Sequence, residues 1–149
     1  DDDRVIVADR EAHRVQVFDT NGNVLDVWND IFMPNGLTIG PDGNIYIGEL
    51  PGMLEASPTP PNHGHNISII SPTGEKLARI GHPEEGEEPG KFIAPHGIGV
   101  DSHGDIYVGG VSCTIGGSRM EAAKQLRSLT KLRQSQLAVI WLSHVMLGA

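Results

Sequence analysis

One histidine of this chain occupies a position where chemistry is plausible, at the start of a strand-like segment between a proline and a glycine. It is His96, in the stretch FIAPHGIGVDSHGDIYVGG (92–110), and the similar stretch FMPNGLTIGPDGNIYIGEL (32–50) has Asn35 at the matching position. The proline fixes a backbone φ angle, and the glycine removes bulk beside the imidazole. An imidazole held in this way either binds a metal such as zinc or hydrogen-bonds the loop backbone, and both interpretations are open.

A second candidate is Arg10, which directly follows the alternating segment RVIVAD. Its guanidinium could bind a carboxylate through two parallel hydrogen bonds. The alternative is an ion pair with a neighbouring acid, Asp9 or Glu11. His63 and His65, in NHGHN, also have a spacing compatible with metal binding, but the adjacent proline-rich loop favours exposed loop histidines.

Composition narrows the classes of function. The chain has 149 residues and a formal net charge of −8, so we expect no nucleic-acid partner, because phosphate would be repelled. The apolar stretch LAVIWLSHVMLGA, from Leu137 onward, is too short to cross a bilayer core of about 30 Å as a helix, and we expect no membrane partner. Cys113 is the single cysteine and has no neighbouring pattern that would activate its thiol.

Short alternating segments separated by turn residues dominate the chain, as its 19 glycines and 10 prolines indicate. Apolar residues recur at period two, which is typical of half-buried β-strands, and TNGN, PDG, SPTG and SHG mark the hairpin turns. Proline-rich residues 51–64 and acidic residues 81–92 are predicted to be loops. The sequence therefore predicts an all-β fold, a β-propeller fragment of about two and a half four-stranded antiparallel blades.

The phrases VADREAHRVQVFDTNGNVL and PGKFIAPHGIGVDSHGDIYVGGV carry a resemblance to a known family. Over roughly residues 4–132 the chain resembles the C-terminal part of NHL-repeat six-bladed β-propellers. Within them it is most similar to peptidyl-α-hydroxyglycine α-amidating lyases. The resemblance implies a zinc-dependent enzyme that cleaves the hydroxyglycine end of a peptide into a peptide amide and glyoxylate. It also favours a secreted or periplasmic location.

The same resemblance assigns roles to two residues. His96 matches the last of three zinc-binding histidines, and Arg10 matches an arginine of the active site. The other two histidines would precede residue 1, so the chain would need the N-terminal blades of the same propeller as partners and would be inactive alone. Gly97 stands where the lyases have a calcium-binding aspartate, which makes calcium doubtful, and Ala94 replaces a methionine near the active site.

For the C-terminal region, the residue pattern and the family resemblance predict different secondary structures. Residues 118–134 have a helix-forming composition, whereas the resemblance places a strand at 127–132, and we adopt the strand with a short turn or helix before it. This gives a partial propeller at 1–132 and an atypical tail at 133–149.

Two functions other than the lyase remain open. One is a non-catalytic NHL-repeat scaffold that binds proteins or small ligands. The other is a calcium-dependent hydrolase of the gluconolactonase kind, for which Glu49, Asn35 and Asp101 are the candidate ligands.

Overall fold

The computed structural model describes residues 3–52, 58–61, 63–115 and 126–134. Over these ranges the chain is built almost entirely of antiparallel β-strands, as its alternating apolar pattern predicts. The elements are β1 (Val5–Asp9), β2 (Arg14–Phe18), β3 (Val24–Trp28), β4 (Pro34–Ile39), β5 (Ile45–Glu49), β6 (Asn66–Ile70), β7 (Lys76–Gly81), β8 (Pro95–Val100), β9 (Ile106–Gly110), α1 (Ser112–Ile115) and β10 (Leu129–Leu132).

The strands form three sheets in chain order. The first sheet is β1-β2-β3, the second is β4-β5-β6-β7, and the third contains β8, β9 and β10 with β9 in the middle. By strand position, β1 and β9 correspond to β5, so the first sheet lacks an innermost strand and the third lacks an outermost one. The predicted arrangement is confirmed: the end of one propeller blade, one complete blade and most of a third.

One end of the sheets carries the β2–β3, β4–β5, β6–β7 and β8–β9 hairpin turns, and we call it the turn end. In the β2–β3 turn, Gly22 donates its N–H to the carbonyl of Asp19, whose own N–H bonds the carbonyl of Asn23. The same pair of hydrogen bonds closes the other three turns, and in each the fourth residue is a glycine with φ between 80° and 89°: Gly22, Gly43, Gly74 and Gly104. Glycine suits this left-handed conformation, so these turns follow directly from the local sequence.

The core consists of layers between successive sheets. Val15 and Val17 of the first sheet pack against Ile45 and Ile47 of the second, and all four are at most 1% exposed. A second layer joins the second and third sheets and includes Ile67, Ile80, Ile106 and Val108. Alternate residues of each middle strand thus face opposite neighbours, which explains the period-two pattern.

The loops and the C-terminal region follow the predictions where the structure describes them. No strand or helix occurs in the described residues of 51–64, or between β7 and β8. The expected strand at 127–132 is confirmed as β10, which pairs with β9. The turn or helix expected before it falls largely on residues outside the described ranges, as does most of the predicted tail at 133–149. Within the described residues, no helix has the length and apolar character needed to cross a membrane.

Two turn glycines provide a test of blade packing. A side chain at Gly74 would overlap the indole of Trp28 in the neighbouring sheet, whereas one at Gly22 would meet nothing within 4 Å. Both residues have φ values near 85° to 89°, so alanine strains the backbone equally at each, by about 1–2 kcal/mol. We expect Gly74→Ala to lower the free energy of unfolding by roughly 1–3 kcal/mol more than Gly22→Ala, as measured by urea denaturation. Equal losses would contradict the packing of this turn on Trp28.

Candidate functional site

The candidate residues lie at the end of the sheets opposite the turns, which we call the bulge end. Here the inner strands β4 and β8 begin, and both are irregular at their second residue. In β8, Pro95 pairs with Gly110 and Gly97 with Gly109, so His96 is an inserted residue without a cross-strand partner of its own. Such a β-bulge redirects a side chain away from the regular pleat.

His96 therefore lies at the start of an inner strand, and its side chain is exposed. Within the described part of the chain, its imidazole makes no hydrogen bond or ion pair. Asn35 occupies the matching bulge of β4, between Pro34 and Leu37, and its amide nitrogen is buried without a hydrogen-bond partner among the described residues. The inner strands thus present one imidazole and one amide at equivalent positions.

Arg10 also lies at the bulge end, one residue after β1. Its Nε and Nη2 atoms are both 2.8 Å from Oε1 of Glu11, and the Arg10 side chain is 40% exposed. Asp9, the other acid considered as its partner, instead bonds Arg14 at 2.8 Å. Since an exposed ion pair contributes less than about 1 kcal/mol, the contact with Glu11 leaves the guanidinium able to exchange partners.

Glu49, at the end of β5, is fully buried and held by three groups. Its Oε2 accepts the Phe32 N–H at 3.0 Å, and its Oε1 accepts hydrogen bonds from the Ser68 hydroxyl and from Arg79 Nε, the latter at 3.3 Å. A buried carboxylate requires such charge and hydrogen-bond compensation. Glu49 therefore ties the approach to β4 to the two outer strands of its sheet.

An exposed acid extends this network outward. Asp30 Oδ2 is 2.8 Å from Lys76 Nζ, and its Oδ1 is 3.6 Å from Arg79 Nη2. The hydrogen bond from Lys76 is the main cause that holds the pKa of Asp30 below its usual value. The β3–β4 connection of one sheet is thereby fastened to the outer strand of the next.

Two histidines, His65 and His13, take part in contacts between sheets, although the sequence favours an exposed loop position for His65. His65 is only 7% exposed, and its Nδ1 donates to the carbonyl of Ile93 at 2.6 Å. His13 stacks on Phe32 with ring centroids 4.5 Å apart, and its Nδ1 accepts the N–H of Met33 at 3.3 Å. The exposed interpretation was therefore wrong for His65, and for His13 the ring is partly buried against the next sheet.

The two histidines occupy the same position in successive blades. Both histidines directly precede the third strand of a blade, in AHRVQVF and GHNISII, and both have an unusual positive φ, 52° for His13 and 54° for His65. His63 differs, since its Nδ1 bonds the nearby carbonyl of Pro61 at 3.0 Å. The described residues contain no group of three or more histidine, cysteine, aspartate or glutamate side chains arranged to bind a metal ion.

The candidate calcium ligands are not brought together. Asp101 lies at the turn end, where it accepts the N–H groups of His103 and Asp105. Glu49 and Asn35 lie at the bulge end, and the Glu49 carboxylate is already paired with Arg79. Their separation gives no support to a lactonase-type calcium site built from these three residues.

Comparisons with known proteins agree with the β-propeller fold. Residues 1–18 match the family model of the NHL repeat. No curated protein matches the chain. Among solved structures, the chain is similar to hydrazine synthase from Kuenenia stuttgartiensis, with 14% identity, a TM-score of 0.60 and coverage of 90% of this chain and 30% of that one.

Two further solved structures are similar. One is a protein of unknown function from Bacteroides caccae, with 10% identity, a TM-score of 0.61 and coverage of 87% of this chain and 42% of that one. The other is a catalytically inactive virginiamycin B lyase from Staphylococcus aureus with quinupristin, with 18% identity, a TM-score of 0.51 and coverage of 89% and 38%. At these identities the likeness defines the fold alone, and the chain spans less than half of each structure. The chain is a β-propeller fragment with an NHL-repeat match at its start.

The acids at the ends of β1 and β5, Asp9 and Glu49, allow a matched test of the buried network. Glu49→Gln keeps the shape but removes the charge that compensates Arg79, and its amide would place a donor beside the donors Phe32 N–H and Ser68. We expect a loss of about 2–3 kcal/mol in the free energy of unfolding. Asp9→Asn, at the equivalent but partly exposed position, should cost less than about 1 kcal/mol. Chemical denaturation of both variants is the measurement, and equal small effects would show that Glu49 carries no structural charge.

Proposed function

We propose that this chain is part of an NHL-type propeller with lyase activity of the peptidylamidoglycolate lyase type, in which His96 is a zinc ligand. The observation that carries the proposal is the placement of His96 at the inserted position of an inner-strand bulge, with its imidazole exposed and unbonded within the described residues. A histidine that only capped a loop would bond the neighbouring backbone, as His63 bonds the carbonyl of Pro61. The free imidazole favours the ligand interpretation over the capping one.

The fit of zinc to this chain is partial. An imidazole is a suitable zinc ligand, but a catalytic site needs about three protein ligands, and the described residues offer no such group. The remaining ligands would come from blades outside the described residues. When bound, zinc would supply Lewis-acid chemistry, lowering the pKa of a coordinated hydroxyl or polarising a carbonyl.

Arg10 would bind the carboxylate of the substrate. A peptide ending in hydroxyglycine has a terminal carboxylate, and so does the glyoxylate that leaves it. The guanidinium lies at the same end of the sheets as His96, and its present partner, Glu11, is an exposed carboxylate that a substrate could replace. In this proposal Arg10 orients the glyoxylate end of the substrate.

Further blades as partners are supported by the open face of the first sheet. Val5 and Val7 of β1 are 50% and 39% exposed, whereas Ile45 and Ile47, at the same positions of β5, are buried against the preceding sheet. Within the described residues, the isoleucines of β5 thus have a covering sheet, whereas the valines at the same register positions of β1 have none. We propose that another blade of the same propeller covers this face.

The second candidate is a non-catalytic scaffold. It is favoured by the extent to which polar groups at the bulge end are engaged in internal contacts, with Glu49 bound to Arg79 and Arg10 to Glu11. A rigid platform of this kind would bind proteins or ligands without a metal.

Zinc content separates the two functions. In the complete propeller that contains this chain, we expect His96→Ala to lower bound zinc from stoichiometric to a small fraction, because one of the three ligands is lost. His103→Ala is the matched control, since His103 lies at the turn end of the same sheet with an 84% exposed side chain. Elemental analysis of the purified proteins gives the answer. Unchanged zinc in the His96 variant, or no zinc in the unmodified protein, would contradict the zinc-lyase proposal and favour the non-catalytic scaffold.

The isolated chain of 149 residues should show no turnover of a peptidyl-hydroxyglycine substrate. One histidine ligand cannot hold a catalytic zinc ion tightly, so glyoxylate release should not exceed that of buffer with the same zinc concentration. Zinc-dependent release above this level, abolished by a chelator, would contradict the predicted need for further blades.

A further inference from the structure

We propose that His65 and Gly36 are positioning residues that fix the bulge carrying His96. This inference rests on the proposed function of His96 and names the residues of the neighbouring sheet through which its imidazole is placed. A bulge adds one unpaired residue to a strand, so the ladder of hydrogen bonds alone does not determine its geometry. Contacts from outside the strand must do so.

Four consecutive carbonyl groups lead into the bulge, and each has a defined neighbour. The Ile93 carbonyl accepts the hydrogen bond from His65 Nδ1 at 2.6 Å, and the Ala94 carbonyl accepts the Val111 N–H at 3.1 Å. The Pro95 carbonyl lies 2.9 Å from where a Cβ atom of Gly48 would stand. The segment is therefore held along its length, mostly by the second sheet.

The last of the four carbonyls is that of His96 itself. A Cβ atom at Gly36 would overlap this oxygen and would lie 2.9 Å from the Cα of Gly97. Gly36 has an ordinary backbone conformation, so its lack of a side chain serves the close approach of β4 and β8 rather than a special turn. Any side chain there would displace the His96 peptide group.

The acceptor determines the direction of the hydrogen bond made by His65. A carbonyl oxygen can only accept, so the proton lies on Nδ1 of His65. An asparagine at the same position carries an amide N–H close to where Nδ1 stands, and asparagine tolerates the positive φ of 54° better than most residues. Asparagine therefore preserves the hydrogen bond and alanine removes it.

His13 provides a matched control. It occupies the same place before the third strand of the first sheet, with a φ of 52°, but its Nδ1 bonds Met33 at the start of the second sheet. His13→Ala and His65→Ala should thus destabilise the fold by similar amounts. Only the His65 variant should disturb His96.

The experiment uses the complete propeller that contains this chain and two measurements. Zinc affinity is measured by competition with a chelator, and the imidazole ¹⁵N–¹H resonances of His96 are recorded in the metal-free protein. We expect His65→Ala and Gly36→Ala to weaken zinc binding by about 10-fold or more and to shift the His96 resonances. His65→Asn, His13→Ala and Gly99→Ala, the last at a β8 glycine with open space around it, should stay within about threefold of the unmodified protein.

Failure of this inference is distinct from failure of the proposed function. If His96→Ala loses zinc while His65→Ala and Gly36→Ala keep the unmodified affinity and resonances, the positioning role is overturned and the ligand role stands. If His96→Ala keeps its zinc, the proposed function is overturned. The resonances in the metal-free protein then decide the positioning role alone, since unshifted His96 signals in both variants would refute it.

Discussion

The close approach of β4 and β8 is the contact on which the placement of the third sheet depends. Gly36 and Gly48 of the second sheet face the carbonyl groups of His96 and Pro95, and neither glycine has room for a side chain. Backbones come this near only where a Cβ atom is absent. Hydrophobic burial drives the sheets together but is not directional. The glycine contacts therefore determine how closely, and at which residues, the third sheet meets the second.

Much of the fold can be predicted from local features of the sequence. The strands follow from apolar residues at period two, and the hairpins follow from a glycine at the fourth position of each turn. The bulges at Pro34 and Pro95 could not be predicted in this way, because these signals indicate strands and turns but not a shift of register within a strand pair. For β10, pairing with β9 outweighs a composition that favours helix, as expected where tertiary contacts decide strand formation.

The candidate site was predictable only in part. The position of His96 could be read by comparing two copies of one repeat, since both copies place a polar residue after a proline at the start of an inner strand. The roles of His13 and His65 could not, because their partners lie 20 and 28 residues away and belong to the next sheet. Nothing in the local sequence of a histidine shows which backbone group will face it across a sheet junction.

The last residue of the second strand differs among the three blades, and this difference affects the surroundings of the His96 imidazole. The second strand ends in Asp9, Glu49 or Gly110, and the two acids bind Arg14 and Arg79 respectively. In the second sheet, Glu49 reaches the backbone ahead of the bulge, whereas in the third sheet Gly110 offers no carboxylate there. His65, from the preceding sheet, secures that backbone instead, through a carbonyl rather than an N–H. A histidine of the preceding sheet thus contacts the backbone ahead of the β8 bulge, and the Gly110 position beside that bulge carries no carboxylate. The four turns at the opposite end share one pattern of hydrogen bonds, so the blades differ in their contacts at the end where binding is proposed.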